Sequence, residues 1–172
     1  MYIVNQKIIN WLLENNNLPV KFLTLTRILD EANASEIQKI RDQINTYKPI
    51  AEILQSQKEN RYWFDSHKKS NYKKYLGTYW QLIFLSNMFT NRNQQIENAI
   101  EHVFSTGQTD SGGFSYDGSN SYTLACLTAN MLNSLIYFGY IDDERTQNAL
   151  DFLLTHFVER NGKIRCQTTG LI

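Results

Sequence analysis

Asn98-Ala99-Ile100 recurs fifty residues later as Asn148-Ala149-Leu150. At the same offset Leu85 matches Leu135, Val103 matches Leu153, Gly112 matches Gly162 and Phe114 matches Ile164. A fainter copy lies 51 residues upstream, where Gln57 matches Gln108 and Trp63 matches Phe114. A period of this length constrains the fold more than any other feature of the chain. Each unit reads as helix, short capped turn, helix, then a loop ending in a large apolar side chain. One such pair cannot bury its own apolar faces, so it must stack on its neighbours.

The local pattern is helical throughout. Ile8, Ile9, Leu12 and Leu13 share one side of a segment over 2–15, which Asn15-Asn16-Asn17 ends. Pro19 suits the first turn of a second helix, where its missing N–H costs nothing. Ser35 opens a third, with Gln38 placed to complete a capping box; Ile37, Ile40 and Ile44 follow at helical spacing. Pro49 starts a fourth. Residues 58–70 form a polar loop holding Tyr62, Trp63 and Phe64, and an apolar helix follows over roughly 72–89. Asn91 and Asn93 offer caps for the next helix, with its stripe of Ile96, Ala99, Ile100 and Val103. Another helix spans about 121–138, with Gly139 suited to a left-handed end. Asp142 then caps the last, where Ala149, Leu150, Leu153, Leu154 and Phe157 share a face. The expectation is an all-α chain of about eight helices in one domain, 1–172. Within it, 1–48 is an N-terminal helical section and 49–172 carries the repeats.

The loop residues have readable roles. Gln108 can bond backbone groups at a helix end. Gly112 and Gly113 permit tight turns, and Phe114 then packs back between helices. Gln57 and Trp63 take the same roles in the earlier copy. The loops are therefore expected to act as staples.

Composition is that of a globular chain, and the 17 basic residues balance the 17 acidic ones. Without a basic excess no nucleic-acid partner is implied. Lys68, Lys69, Lys73 and Lys74 do cluster around Tyr72 and Tyr75, as a solvated loop or as a phosphate-binding patch. Cys126 and Cys166 form no disulfide framework, and Cys126 reads as a small core residue. The amphipathic N-terminus lacks the unbroken apolar core of a secretory signal. No stretch approaches the ~20 apolar residues that span a bilayer. A cytoplasmic setting is the expectation.

The stretch Gln108-Thr109-Asp110-Ser111-Gly112-Gly113-Phe114 resembles the Gln–Gly–Trp/Phe repeat of the terpenoid cyclase and protein prenyltransferase superfamily, with Gln57 to Trp63 as a degenerate copy. Leu124 to Tyr140 and Asp142 to Leu153 resemble its helix pairs, and Pro19 to Leu25 is similar to a segment of bacterial proteins of this type. The resemblance covers most of 49–166 and implies an α/α toroid with helices around a cavity. Asn161-Gly162-Lys163-Ile164 departs from the pattern, having lost both Gln and aromatic. About three repeats are too few to close a ring, so a partial arc is implied. Its exposed apolar ends call for self-association, such as a dimer, or for a partner segment completing the toroid.

The superfamily's chemistry is not legible here. There is no Asp-rich motif for protonating an alkene, and Asp142-Asp143-Glu144 reads as charge favoured at a helix start. Cys126, Cys166, His102 and His156 have no tight zinc spacing. No metal or cofactor is implied, and no nucleophile elbow or phosphate loop is present. Under the toroid reading, Tyr75, Tyr79, Trp80, Tyr122 and Cys126 lie in the first halves of inner helices. There they are either core or the wall of a cavity for an apolar small molecule. The leading functional expectation is a non-catalytic helical-repeat module presenting an apolar groove or cavity to a protein or lipid-like ligand. The alternative is a cyclase- or prenyltransferase-type enzyme or fragment acting on an isoprenoid, its catalytic residues outside this chain. A third is an assembly subunit whose arc a second polypeptide completes.

Overall fold

The computed structural model describes residues 5–29, 33–59 and 61–159. Among them are eight α-helices: α1 (Gln6–Leu12), α2 (Leu18–Arg27), α3 (Ala34–Gln43), α4 (Lys48–Gln55), α5 (Thr78–Asn87), α6 (Gln94–Gly107), α7 (Ala125–Tyr137) and α8 (Glu144–Glu159). No strand occurs among the described residues; the only extended pairing there is in isolated bridges. The chain divides into two compact units, one of residues 1–55 with 88–91 and one of 56–87 with 92–172. The boundary at 55/56 groups α4 with the N-terminal section. Cys166, the loop Asn161–Ile164 and the tail from Gln167 lie outside the described residues.

In the first unit Asn17 caps α2, its side chain accepting from the Val20 N–H, and Pro19 sits in the first turn as expected. The cap of α3 is Asn33, which accepts from the Ser35 N–H. Ser35 is thus already inside the helix, and Gln38 donates to Asp42 instead of closing a capping box. Ile40, Ile44, Ile50 and Leu54 are buried. Phe22 lies tilted against Phe89 at 5.0 Å, with the Arg41 guanidinium 5.4 Å from the Phe22 ring. Asn91 does not cap a helix. Its N–H donates to Asn45 Oδ1 and its side chain to the Arg41 carbonyl.

The second unit holds the repeats. α7, which keeps an exposed stripe at Cys126, Ala129, Asn130, Asn133 and Tyr137, packs on α5, which is buried on nearly all sides. A helix apolar all round belongs at the centre of a stack. Ser86 of α5 and Ser134 of α7 satisfy each other at 2.9 Å in that contact. α6 and α8 are one-sided. On α6, Ile96, Ala99, Ile100, Val103, Phe104 and Gly107 form the buried stripe.

Two helices start later than periodicity predicts. Residues 68–72 form a 3-10 turn, and the chain then reverses before α5 opens at Thr78. The Leu76 and Gly77 N–H groups both donate to the Lys73 carbonyl, and Gly77 lies so close to the Ser70 and Asn71 carbonyls that no Cβ fits. α7 begins at Ala125, after a 3-10 turn at Asn120–Tyr122. The last helix is capped by Asp143, one residue past the expected Asp142: Asp143 Oδ1 accepts from the Arg145 N–H. Gly139 is left-handed at φ +82° as expected. The Gly139 and Tyr140 N–H groups bond the Ile136 and Leu135 carbonyls, a Schellman ending.

Candidate functional site

The repeat recurs at the level of hydrogen bonds. Gln57 Nε2 donates to the Gln95 carbonyl at 2.9 Å, and Gln108 Nε2 donates to the Arg145 carbonyl at 2.6 Å. Gln95 and Arg145 are each the second residue of the following outer helix. The Trp63 N–H donates to Thr78 Oγ1 at 3.2 Å, and the Phe114 N–H to Thr128 Oγ1 at 2.8 Å. Thr78 and Thr128 are fifty residues apart and both fully buried. Each loop is thus pinned at its Gln to the outer helix and at its aromatic to the inner one. The threonines were not singled out from sequence, although the fifty-residue offset contains them. Thr128→Val keeps the shape and leaves the Phe114 N–H unpaired in the core. It is expected to cost about 1–3 kcal/mol in a chemical-denaturation measurement.

The second loop is packed tightly. Gly112 is left-handed at φ +88°, and a Cβ there would collide with the Asn148 carbonyl; one on Gly113 would strike Thr123 and Phe152. Phe114 is fully buried, edge-on to Tyr79 at 6.1 Å and tilted against Phe104 at 6.0 Å.

A hollow recurs beside each loop. One, of about 330 Å³, is lined by Arg61, Asn98, Glu101, His102 and Ser105. The other, of about 310 Å³, is lined by Ser111, Asp151, Phe152, Thr155 and His156. Four of these positions correspond at the fifty-residue offset: 61/111, 101/151, 102/152 and 105/155. His102 Nε2 donates to Asn71 Oδ1 at 3.0 Å, and Asn71 is itself buried and bonded to Thr106. Burial, and then the nearby Arg61 charge, hold His102 below the usual histidine pKa. The unfolded chain therefore takes up this proton at higher pH than the folded one, and stability falls as pH drops below the ordinary histidine value. The melting temperature of His102→Asn is expected to depend less on pH across that window than that of the parent chain.

The five residues expected along a cavity wall separate. Tyr79 is core: its ring is fully buried, its hydroxyl donates to the Ser115 carbonyl at 3.1 Å, and burial pushes its pKa up. Cys126 is exposed, not buried, because it shares the outward stripe of α7 with Ala129, Asn130 and Asn133. Tyr75, Trp80 and Tyr122 belong to a run of ring contacts at the surface. Phe84 meets Trp80 at 6.1 Å, Trp80 meets Tyr75 at 5.2 Å and Tyr72 at 6.0 Å, Tyr72 meets Tyr116 at 5.2 Å, and Tyr116 meets Tyr122 at 6.2 Å. Lys74 Nζ lies over the Tyr75 ring of this run, and Lys73 Nζ over the ring of Phe64.

The outer face of α8 is the second exposed feature. On α6, Ile100 and Phe104 are 1% and 5% exposed, whereas their equivalents on α8, Leu150 and Leu154, are 36% and 55% exposed. The cover on α6 comes from the next repeat. Tyr140 lies 6.3 Å from the Phe104 ring, and the Arg145 guanidinium lies 4.0 Å over it while gripping Glu101 through two bonds of 2.7 and 2.8 Å. The equivalent of Glu101 is Asp151, also an acid and also exposed.

Among the described residues no three His, Cys, Asp or Glu side chains gather to hold a metal, and no helix is long and apolar enough to cross a membrane. No protein-family model, no curated protein and no solved structure matches the chain.

Proposed function

We propose that the chain is a non-catalytic helical-repeat module whose α8 face docks a further helix pair of the same repeat, as one arc of an α/α toroid. The observation that carries this is the pairing of Leu150 and Leu154, exposed, with Ile100 and Phe104, buried at the same repeat positions. The α8 face keeps two apolar side chains one turn apart and an acid at the same positions, with Leu154 standing where α6 has the Phe104 ring. The occupant that fits is an outer helix bringing an arginine to its second position, to grip Asp151 as Arg145 grips Glu101. In repeat proteins stability is roughly the sum of unit and nearest-neighbour terms, so a face left uncovered is a term not realised.

The test supplies the occupant covalently. A second copy of residues 108–159 is joined after residue 157, which keeps the fifty-residue phase. The extended chain is expected to melt at a higher temperature than the parent, with slower amide exchange over 150–154. An unchanged or lower melting temperature would show that the face does not take a repeat.

A further inference from the structure

We propose that Phe64 and the turn Lys73–Gly77 form a docking site for an anionic membrane surface, with the aromatic and leucine side chains entering the interface and the lysines meeting lipid headgroups. This surface is separate from the α8 face and stands or falls independently of it.

The first ground is what the backbone holds out to solvent. Phe64 and Tyr75 both have left-handed backbone, φ +76° and +63°, which bulky residues rarely adopt. Such strain persists only where the surroundings enforce it, and it concentrates at functional positions. Here they do enforce it. The Leu76 and Gly77 N–H groups bond the Lys73 carbonyl at 2.9 and 2.7 Å, Gln81 Nε2 bonds the Tyr75 carbonyl at 2.7 Å, and Lys58 Nζ bonds the Phe64 carbonyl at 3.0 Å. Trp80 and Phe84 back the Tyr75 ring at 5.2 and 6.4 Å. The result is a firmly held tip whose apolar residues are Phe64, Tyr75 and Leu76, exposed by 42%, 56% and 52%.

The second ground is charge. Between residues 58 and 75 there are six Lys or Arg residues and two acids, Glu59 and Asp65, in a chain whose net charge is zero. Lys73 Nζ lies 5.6 Å from the Phe64 ring and Lys74 Nζ 5.2 Å from the Tyr75 ring, so ammonium groups flank the apolar tip. Aromatic and aliphatic side chains ringed by lysines match the interfacial zone of an anionic bilayer. A single-stranded nucleic acid fits less well. Stacking needs open ring faces, whereas the faces of Phe64 and Tyr75 carry ammonium groups, and an exposed leucine offers a base nothing to stack on.

The test is flotation of the full chain with phosphatidylcholine vesicles, with and without phosphatidylserine. Binding is expected only with phosphatidylserine, and to be lost in high salt. Lys73→Glu with Lys74→Glu should lower the affinity at least about tenfold. Leu76→Ser should lower it about fivefold, with the circular-dichroism melting curve unchanged in both. Failure to float with phosphatidylserine vesicles would overturn the proposal, as would flotation indifferent to the lysine reversals. So would retention of a single-stranded oligonucleotide by a chain that ignores vesicles.

Discussion

Phe114→Ala is expected to lower the unfolding free energy by about 3–5 kcal/mol, the range for deleting a buried aromatic side chain. Phe114 touches both sides of the second unit. Its ring lies edge-on to Tyr79 of α5 and against Phe104 of α6, and its N–H is held by Thr128 of α7. Truncation removes the ring from two helices at once and leaves the backbone bond to the third with no side chain to anchor. Urea unfolding followed by circular dichroism reads the loss directly. A cost within the ordinary range for a surface substitution, about 0.5 kcal/mol, would show that the loop decorates the helices without stapling them.

Gly112→Ala is the second large effect, expected at roughly 2–4 kcal/mol. Two penalties combine. The residue is left-handed at φ +88°, and the added methyl meets the Asn148 carbonyl in the first half of α8. Gly139→Ala separates the two. Gly139 is also left-handed, at φ +82°, but the nearest atom to its added methyl would be Arg92 Nη1 at 3.5 Å. It should cost only the conformational part, about 1–2 kcal/mol. Equal losses at the two glycines would mean that the Gly112 loop is not packed on α8.

The helices and the stapling loops were legible because each is written locally. Periodicity places the buried stripe of α6, and Gln108, Gly112 and Phe114 occupy the positions their chemistry suggests. Helix starts were read less well, because several polar residues compete for each cap. Asn33 supplies the cap that Ser35 suggests, and Asp143 the one that Asp142 suggests. The turn before α5 was not legible at all. Lys73 to Gly77 look helical in sequence, and the bend there comes from bonds to the Lys73 and Tyr75 carbonyls and from the approach of Gly77 to the backbone of Ser70 and Asn71. That bend also parts Tyr75 from Tyr79. It sends Tyr75 to the surface while Tyr79 stays in the core. The exposure of Leu150 and Leu154 has no sequence signal of its own, since both fit the apolar pattern of a buried face. It emerges only when α8 is compared with α6.

Leu154 reports the state of the α8 face at a single residue. Leu154→Ala in the parent chain removes an exposed side chain and should cost about 0.5 kcal/mol or less. In the chain extended by a further copy of residues 108–159, the same substitution should cost about 2–4 kcal/mol, because the side chain then occupies the environment that Phe104 has in α6. Urea unfolding of the four proteins gives both values. A cost that rises on extension is the predicted result; a cost that is the same in both backgrounds would contradict the reading of α8 as a face built for another repeat.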